Sequence, residues 1–404
     1  MKAARVLVTD AGRTSALAVI RSLGRAGHTV IAADSTEHPT GARSRYAASH
    51  AWYPSPFEAG VDSTAAAIAA LAAEHRVDAV LPVTDDVIVP LDRHRDLLPD
   101  GCTPIMAGRA QLDAAGSKVT STRLARSLGV AVPRHEIVHD AEGTDGITER
   151  LGTPVVIKPD RSRIVGPDGR LRRGSVSYAW TDDEARRAVE AAGQQVVAQE
   201  YHAGIGLGIG MVLHEGRPLL AVQHRRLHEV PVSGGASARR ETVPTDPDLL
   251  ATACALLGEL RWTGAAMVEF KDGPDGPAFM EINGRLWGSL PLAVLAGCDI
   301  PAQMVAVHLG DPEVCSATLD LSYRPNVRSR NLDLELVWIG SVLAKGRKAS
   351  DLVSLDRRQG LLAAVDLLRP HQGDDLAARD DWRPIFPGIR RAFGHAAHKA
   401  WSHG

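Results

Sequence analysis

Short apolar runs alternate with helical segments over the first 115 residues, and this alternation constrains the fold more than any other feature of the chain. The runs typical of buried strands are residues 6–9, 29–33 and 79–82. Residues 17–24 and 63–75 have the spacing of helices. Strands that alternate with helices form right-handed crossovers on a parallel sheet. The sequence therefore predicts a doubly wound α/β domain over residues 1–115.

A strand, a turn, a helix and a later acidic residue, Asp34, are also features of a dinucleotide-binding domain. That class requires the pattern Gly-x-Gly-x-x-Gly, in which the glycines let the backbone approach a pyrophosphate. Here Gly12 stands alone, with Arg13 and Thr14 where further glycines would be needed. We therefore expect the first domain to be the scaffold of a substrate cleft, and binding of a nicotinamide or flavin cofactor is the less favoured interpretation.

The second segment, residues 116–195, mixes helix and strand signals. It opens with a helix, continues through a strand at 155–159 and a Gly- and Arg-rich hairpin-like stretch at 161–175, and closes with a second helix. Thr181 and Glu184 have the spacing of a capping box at the start of that helix. These signals predict a small α+β domain.

The third segment, residues 196–310, carries antiparallel signals. Its clearest part is a pair of strands at 265–270 and 278–283 joined by a polar, Gly-rich turn. An antiparallel-sheet domain is expected here. Residues 311–404 have weaker signals and are assigned to a C-terminal extension of unknown role. We expect a charged linker at 370–381, followed by a basic, aromatic tail that docks on the body of the protein.

Composition and charge exclude several classes of partner. Lys plus Arg number 46 against 48 Asp plus Glu, a net charge of −2, so global charge favours neither nucleic acid nor an anionic membrane. The four cysteines form no Cys-x-x-Cys pair, which indicates a reducing compartment rather than a zinc or disulfide framework. The N-terminus lacks the pattern of a secretory signal, so a cytoplasmic protein acting on small molecules is expected. A homodimer is left open.

Three polar side chains on the last two strands carry the strongest chemical signal. Side chains alternate along a strand, so Glu281 and Asn283 share one face, and a hairpin centred near Asp275 sets Glu269 opposite Glu281. Two carboxylates that face each other need compensation, and two carboxylates with an amide oxygen suit a hard cation that carries phosphate oxygens. Arg285 follows two positions later. A solvent-exposed polar hairpin is the alternative interpretation.

Two lysines and a glycine-rich stretch add to this signal. Lys158 ends an apolar strand, where an ammonium group is unfavourable unless it meets an anion. Lys118 lies in the first turn of a predicted helix. The stretch at 161–175, which ends in Gly174 and Ser175, can present backbone amides to phosphates. The exposed end of the strand at 196–202 can pair with the edge of a purine.

In combination, these residues resemble the ATP-grasp enzymes, and specifically their carboxylate-amine ligase branch. The resemblance runs from about Val6 to Gly297, and its most specific stretches are residues 268–270 and 279–285. It implies a pre-ATP-grasp α/β domain, a small lid domain and a C-terminal catalytic domain built on an antiparallel sheet. It also implies ATP and Mg²⁺ as cofactors, with Mn²⁺ as an alternative ion.

The resemblance implies a role for each matching residue. The residues implied to hold two Mg²⁺ ions are Glu269, Glu281 and Asn283. Those implied to contact the ATP phosphates and the transferring phosphoryl group are Lys118, Lys158 and Arg285. Those implied to line the adenine pocket are Gln199, Glu200, Tyr201 and His202. Each of these positions awaits a structural test.

The chain departs from the family pattern at two positions. Ser117 precedes Lys118 where relatives have Asp, and Gly206 stands where several relatives place an acid for the ribose hydroxyls. A further stretch, residues 225–237, resembles the Arg-then-Gly-rich segment that this branch places beside the acyl substrate. There a guanidinium such as that of Arg226 can hold a carboxylate in a bidentate fork, unless the stretch is only an edge strand leading into a loop.

The implied reaction joins a carboxylate to an amine through an acylphosphate, with release of ADP and phosphate. The implied substrates are amino acids or a peptide. A ligase or carboxylase with a thiol or carbon acceptor is the alternative within the fold. A nucleotide-binding or dinucleotide-cofactor protein without ligase chemistry is the alternative of another class.

Overall fold

The computed structural model describes residues 2–345, 352–353, 355–369, 373–386 and 388–389. Within these residues the strands form four sheets of five, four, seven and two strands. The fold is mixed α/β and α+β, with one parallel and three largely antiparallel sheets, as the sequence predicts. Within the same residues no single helix is long and apolar enough to cross a bilayer, and one pair of helices would be so only together, across a bend of 99°.

The first sheet is parallel and has helices on both faces. Its strands are β1 (Arg5–Val8), β2 (Thr29–Asp34), β3 (Ala47–Trp52), β4 (Ala79–Leu81) and β5 (Thr103–Pro104), in the order β3-β2-β1-β4-β5. Its helices are α1 (Thr14–Arg25), α2 (Val61–Glu74) and α3 (Asp85–Arg93). Val6 and Val8 pack with α1, whereas Leu7 packs with α2 and α3 on the other side. Burial of both faces explains why these strands are continuous apolar runs and confirms the doubly wound prediction.

The second sheet is antiparallel and has the order β10-β7-β11-β6. Its elements are β6 (His135–Val138), α6 (Ile147–Leu151), β7 (Val155–Pro159), β10 (Ser177–Ala179), α7 (Asp182–Ala192) and β11 (Val196–Glu200), with the separate hairpin β8 (Arg163–Val165) and β9 (Leu171–Arg173). The Thr181 hydroxyl caps α7 by accepting from the Glu184 amide at 3.2 Å. The carboxylate of Glu184 accepts from the amide of Trp180 at 2.7 Å.

The third sheet has seven strands among the described residues, in the order β16-β15-β12-β13-β14-β17-β18. Its strands are β12 (Ile205–His214), β13 (Arg217–Val230), β14 (Ala236–Thr242), β15 (Gly264–Gly273), β16 (Gly276–Asn283), β17 (Arg328–Arg330) and β18 (Gly373–Asp374). The accompanying helices are α4 (Arg109–Gly116), α5 (Lys118–Ser127), α8 (Pro247–Glu259), α9 (Leu290–Ala296), α10 (Ile300–His308), α11 (Pro312–Ser316), α12 (Leu332–Lys345) and α13 (Arg357–Asp366). One face of the sheet packs on α8, and the other packs with α9, α10 and the first sheet.

Two of the predicted domain boundaries are wrong. The strand at 196–201 was assigned to the third segment, but β11 pairs with β6 and β7 of the second sheet. Helix α5 was assigned to the small domain, but Leu124 and Ala125 pack in the core of the third sheet. The amide of Phe279 also donates to the carbonyl of Ala131 at 2.8 Å. These contacts join residues far apart in sequence, so local patterns did not reveal them.

The C-terminal extension is part of the third sheet. Strand β17 pairs with β14, and β18 pairs with β17, so the sheet does not end at residue 310. The prediction of a charged linker at 370–381 is wrong for the residues described there. Asp375 and Asp381 are buried, and each is paired with an arginine from the body of the protein. From residue 390 onward, the predicted basic, aromatic tail lies outside the described residues.

A buried ion pair fastens the extension to the first domain. The Arg21 guanidinium on α1 lies 2.9 Å from the Asp381 carboxylate, and both side chains are buried. Arg21 also donates to the carbonyl of Leu376 at 2.8 Å. The Ser44 hydroxyl and the Arg45 amide donate to the same carboxylate at 2.6 and 2.9 Å. The Asp381 carboxylate therefore exchanges water for three protein donor groups.

We expect Arg21→Leu to lower the free energy of unfolding by about 3 kcal/mol or more, because it leaves a buried carboxylate without its counter-charge. Arg25→Leu is the matched control on the same helix, since its pair with Asp380 is 39% and 42% exposed. That control is expected to cost less than about 1 kcal/mol. Urea unfolding followed by circular dichroism measures both, and equal losses would contradict the argument.

Candidate active site

The hairpin of β15 and β16 brings the two predicted carboxylates face to face. Glu269 pairs with Glu281, and Met267 with Asn283, so all three polar side chains lie at one end of the hairpin. Gly273 pairs with Gly276 at the turn, which would set Glu269 opposite Met280 in a regular ladder. A β-bulge beside Glu269 shifts the register by one residue and produces the predicted pairing.

One amide links the two carboxylates. Asn283 Nδ2 donates to Glu269 Oε1 at 2.9 Å and to Glu281 Oε1 at 3.2 Å. Its Oδ1 accepts from the Arg285 guanidinium at 3.0 Å, and Arg285 in turn lies 2.8 Å from the Asp85 carboxylate at the start of α3. The four side chains predicted from residues 269–285 therefore converge on one point, and the first domain supplies the partner of the arginine.

Cations surround the two carboxylates. Burial by itself raises the pKa of Glu281, but nearby Lys118, Lys158 and Arg285 outweigh burial and hold the pKa below its usual range. Burial and the charge of Glu281 raise the pKa of Glu269. Arg226 lies 2.5 Å from Glu269 Oε2. The cluster is a pair of repelling acids that positive side chains keep together.

Lys158 is a second lysine beside the two carboxylates. It lies on β7 opposite Val197, and burial lowers the pKa of its ammonium to about 8, although Glu281 and Glu269 oppose the shift. Among the described residues, no hydrogen bond of this ammonium is found within normal distance. Lys158 is half-buried, and a partly desolvated ammonium group is unfavourable unless an anion meets it.

Lys118 is held in place from the helix below it. Ser117 caps α5 through its hydroxyl, which also donates to the carboxylate of Asp160 at 2.7 Å. The ammonium of Lys118 donates to the Ser162 hydroxyl at 3.0 Å. Asp160 therefore supplies the carboxylate that the family pattern places at position 117.

One large cavity, of about 2300 Å³, contains most of the predicted site residues. Those that line it are Lys158, Gln199, Tyr201, His202, Arg226, Glu269, Glu281, Asn283 and Arg285. Three predicted residues, all within the described part of the chain, do not. The ammonium of Lys118 is bonded to Ser162, the carboxylate of Glu200 is turned to Arg134 at 2.6 Å, and Ser175 is exposed just before β10.

The predicted adenine segment forms one wall of this cavity. Gln199 is buried on β11, and the Tyr201 hydroxyl donates to the carbonyl of Ser233 at 3.3 Å. The His202 ring nitrogen lies 3.1 Å from the carbonyl of Lys271, whose ammonium sits 4.7 Å from the centre of the Tyr201 ring. The segment therefore joins the second and third sheets at the cavity.

The missing acid at Gly206 has a steric reason. A Cβ atom there would lie 2.8 Å from Arg226 Cδ and 3.2 Å from a Glu229 carboxylate oxygen. Glu229 lines the cavity and lies 3.1 Å from the guanidinium of Arg226. Glu229 was not predicted as a site residue, because strand pairing brings it next to Gly206, which is far from it in sequence.

The glycine-rich hairpin of β8 and β9 rests on the first domain. The side chains of Arg163 and Arg173 both pair with Asp86, and Arg173 lies 4.2 Å from the centre of the Phe57 ring. The Leu171 amide donates to the carbonyl of Pro56 at 2.9 Å. Of the segment predicted to contact phosphates, Arg173 lines the cavity.

The donor set at the centre of the cavity fits a hard divalent cation only in part. Two carboxylates and one amide oxygen are the ligand types that Mg²⁺ prefers. In the described part of the chain, no group of three or more His, Cys, Asp or Glu side chains has the geometry to hold a metal. The protein therefore offers an incomplete shell, which suits an ion that also binds phosphate oxygens.

Comparison with known proteins agrees with this geometry. Residues 193–328 match the family described as ATP-grasp in the biosynthetic pathway with Ter operon. A stretch of 118 residues is 29% identical to the carbamoyl phosphate synthase large chain of Pseudomonas aeruginosa and covers 28% of this chain. The chain spans 10% of the length of that relative.

Solved structures share the fold over most of the chain. The biotin carboxylase domain of Hydrogenobacter thermophilus 2-oxoglutarate carboxylase, solved with MgADP and bicarbonate, has a TM-score of 0.61 at 18% identity, covering 81% of this chain and 74% of its own. The Bacillus licheniformis L-amino acid ligase has a TM-score of 0.57 at 13% identity, covering 81% of this chain and 79% of its own. Staphylococcus aureus N5-carboxyaminoimidazole synthetase, solved with ADP, has a TM-score of 0.59 at 14% identity, covering 77% of this chain and 78% of its own. Residues 193–328 thus match an ATP-grasp family, and most of the chain shares the fold of these three structures.

The lowered pKa of Lys158 leads to a direct test in metal-free protein. We expect the ammonium of Lys158 to lose its proton near pH 8, whereas an ordinary lysine does so near about 10.4. Below pH 8 it is charged and attracts an anion, and above pH 8 this attraction fades. Nuclear magnetic resonance of ¹³C-methylated lysines measures the titration.

The variant Lys158→Arg identifies the signal, because only the resonance of Lys158 disappears from its spectrum. A midpoint above pH 10 for that resonance would contradict the claim that burial lowers the pKa of the Lys158 ammonium.

Proposed function

We propose that this protein is an ATP-dependent carboxylate-amine ligase, which forms an amide or peptide bond through an acylphosphate and releases ADP and phosphate. One observation carries the proposal. Glu269, Glu281 and Asn283 converge in the same cavity as the ammonium of Lys158, so a cation site and an anion site lie side by side. A nucleotide triphosphate that carries a divalent ion requires that combination.

Each part of the cavity then has an assigned task. The metal ion, Mg²⁺ or Mn²⁺, would be held by Glu269, Glu281 and Asn283, and when bound it neutralises charge on the phosphate oxygens. Lys158 and Arg285 would stabilise the transferring phosphoryl group, with Lys118 behind them. The segment at 199–202 would hold the adenine.

The ribose needs a different partner from the one in several relatives. We assign its hydroxyls to Glu229, because this carboxylate lies beside Gly206 and lines the cavity. Its pairing with Arg226 keeps it close to the wall formed by Tyr201 and Lys271. A carboxylate at this point can accept hydrogen bonds from both ribose hydroxyls.

The first step transfers the γ-phosphoryl group. An oxygen of the substrate carboxylate attacks the γ-phosphorus, the bond from that phosphorus to the bridging oxygen of ADP breaks, and an acylphosphate and ADP result. The guanidinium of Arg285 and the ammonium of Lys158 stabilise negative charge on the moving phosphoryl oxygens. Arg226 would orient the acid, since its guanidinium can form a bidentate pair with a carboxylate.

The second step forms the amide. The amine nitrogen attacks the activated carbonyl carbon, loses a proton, and phosphate leaves with the electrons of the carbon-oxygen bond. Water competes with the amine for the acylphosphate, so closure of the small domain over the cavity would favour the ligase reaction. The β8–β9 hairpin contacts the first domain through Asp86, and this contact supports a closure at the rim formed by the hairpin.

The relatives support this reaction class without deciding among its members. Solved structures that share the fold include an L-amino acid ligase and several carboxylases, all at identities that show the fold alone. A carboxylase or thiol ligase would use the same phosphoryl transfer and a different acceptor. The identity of the acceptor therefore has to be determined with a panel of substrates.

We expect ADP release to require both an acid and an amine. A panel of amino acids tested in pairs, with coupled detection of ADP and mass detection of the product, identifies the pair. ADP release dependent on bicarbonate and a carbon acceptor would replace the amide assignment by carboxylation. A chain that releases no ADP with any pair or with bicarbonate would contradict the proposed function.

Glu281→Gln is expected to lower turnover on the best pair by about 100-fold or more, because it removes one of two carboxylates that hold the ion. The substitution keeps the shape of the side chain, so the fold is expected to remain, as circular dichroism checks. Glu259→Gln, exposed on α8, is the matched control and should retain full turnover. Full turnover in Glu281→Gln would remove the metal argument.

A further inference from the structure

Part of the wall of the large cavity comes from the C-terminal extension. Trp382, Arg383 and Phe386 line it, together with Leu334 and Val337 of α12. The family match ends at residue 328, so the resemblance assigns no role to this stretch. The extension therefore adds an aromatic and aliphatic surface to the cavity that also holds the carboxylates and Lys158.

The aromatic part of this surface is held in a fixed position. Asp381, directly before Trp382, is the buried carboxylate bound by Arg21, Ser44 and Arg45. Its neighbour Asp380 accepts from the Tyr46 hydroxyl at 2.6 Å. Buried ion pairs of this kind fix geometry even where they add little net stability. The backbone that carries Trp382 is thus anchored on the first domain.

The two rings themselves are exposed. Trp382 is 59% and Phe386 is 68% accessible to solvent, and their ring centres lie 6.0 Å apart at an angle of 87°. In an edge-to-face pair the edge of one ring meets the face of the other. Large exposed apolar side chains in a concave site are typical of ligand contact, because a ligand that covers them gains the burial they lack.

The size of the cavity leaves room for such a ligand beside the nucleotide. Its volume is about 2300 Å³, whereas pockets for a single drug-sized molecule are roughly 300–1,000 Å³. The segment at 199–202 and the carboxylates account for the nucleotide side. The remaining side is bounded by the first domain and by the extension.

We propose that Trp382 and Phe386 form a specificity subsite for the side chain of one of the two substrates, and that this side chain is aromatic or large and aliphatic. This inference rests on the proposed function for the reaction, but the binding of such a side chain can be measured without turnover. The substrate class is therefore an amino acid or short peptide with a bulky apolar residue.

The test compares Trp382→Ala and Phe386→Ala with the wild-type chain on L-phenylalanine and L-alanine, each offered in the substrate panel. For the phenylalanine-containing pair, kcat/KM is expected to fall at least tenfold in each variant. For the alanine-containing pair it is expected to change less than twofold. Trp180→Ala is the matched control, since Trp180 is exposed on the second domain and does not line the cavity.

A second measurement is independent of catalysis. Calorimetric titration of L-phenylalanine into the full chain with MgADP is expected to show binding that weakens at least tenfold in Phe386→Ala, whereas the affinity for MgADP stays unchanged. No binding of L-phenylalanine to the wild-type chain, or equal losses for both amino acids, would overturn the inference. Failure of every acid and amine pair to release ADP, with phenylalanine binding intact, would instead refute the proposed function alone.

Discussion

Repulsion between two carboxylates, Glu269 and Glu281, is the constraint on which the site depends. A β-bulge places them opposite each other on one hairpin, where like charges are unfavourable. Asn283 bridges them, and Arg226 and Arg285 lie against the group. The chain therefore places positive charge around a negative centre. This arrangement is understandable if the centre also has to accept and release a metal ion with its nucleotide.

The surrounding architecture serves to bring these groups together. The second sheet supplies Lys158, and the third supplies the carboxylates. Helix α3 of the first domain supplies Asp85, the partner of Arg285. The C-terminal extension ties the first and third sheets together through Arg21 and the fully buried pair of Arg240 with Asp375. Because those ion pairs are buried, they fix the extension against the first and third sheets. The backbone that carries Trp382, next to Asp381, is fixed with it.

Local patterns in the sequence were enough to predict the elements and the chemistry of the hairpin. Alternating apolar runs predicted the parallel sheet, and strand periodicity predicted the facing carboxylates, although the bulge that makes this pairing was not foreseen. What failed depended on contacts between distant residues. Strand β11 and helix α5 were placed in the wrong domains, because their partners lie far away in sequence.

The charged extension shows the same limit from another side. Asp375 and Asp381 look like linker residues, since acids are seldom buried without partners, and the partners Arg240 and Arg21 lie more than a hundred residues away. Glu229 was missed for a similar reason, as its closeness to Gly206 is created by strand pairing. The predicted role of Glu200 depended on the family pattern and that of Ser175 on the glycine-rich stretch, and in this structure neither residue lines the cavity.

The central claim is that the facing carboxylates bind a divalent ion together with a nucleotide. Electron paramagnetic resonance of Mn²⁺, titrated into the full chain with and without a non-hydrolysable ATP analogue, measures this directly. The account predicts that the analogue strengthens uptake of Mn²⁺ in the wild-type chain and that the double variant Glu269→Gln, Glu281→Gln loses this uptake. Equal uptake by both chains would contradict it.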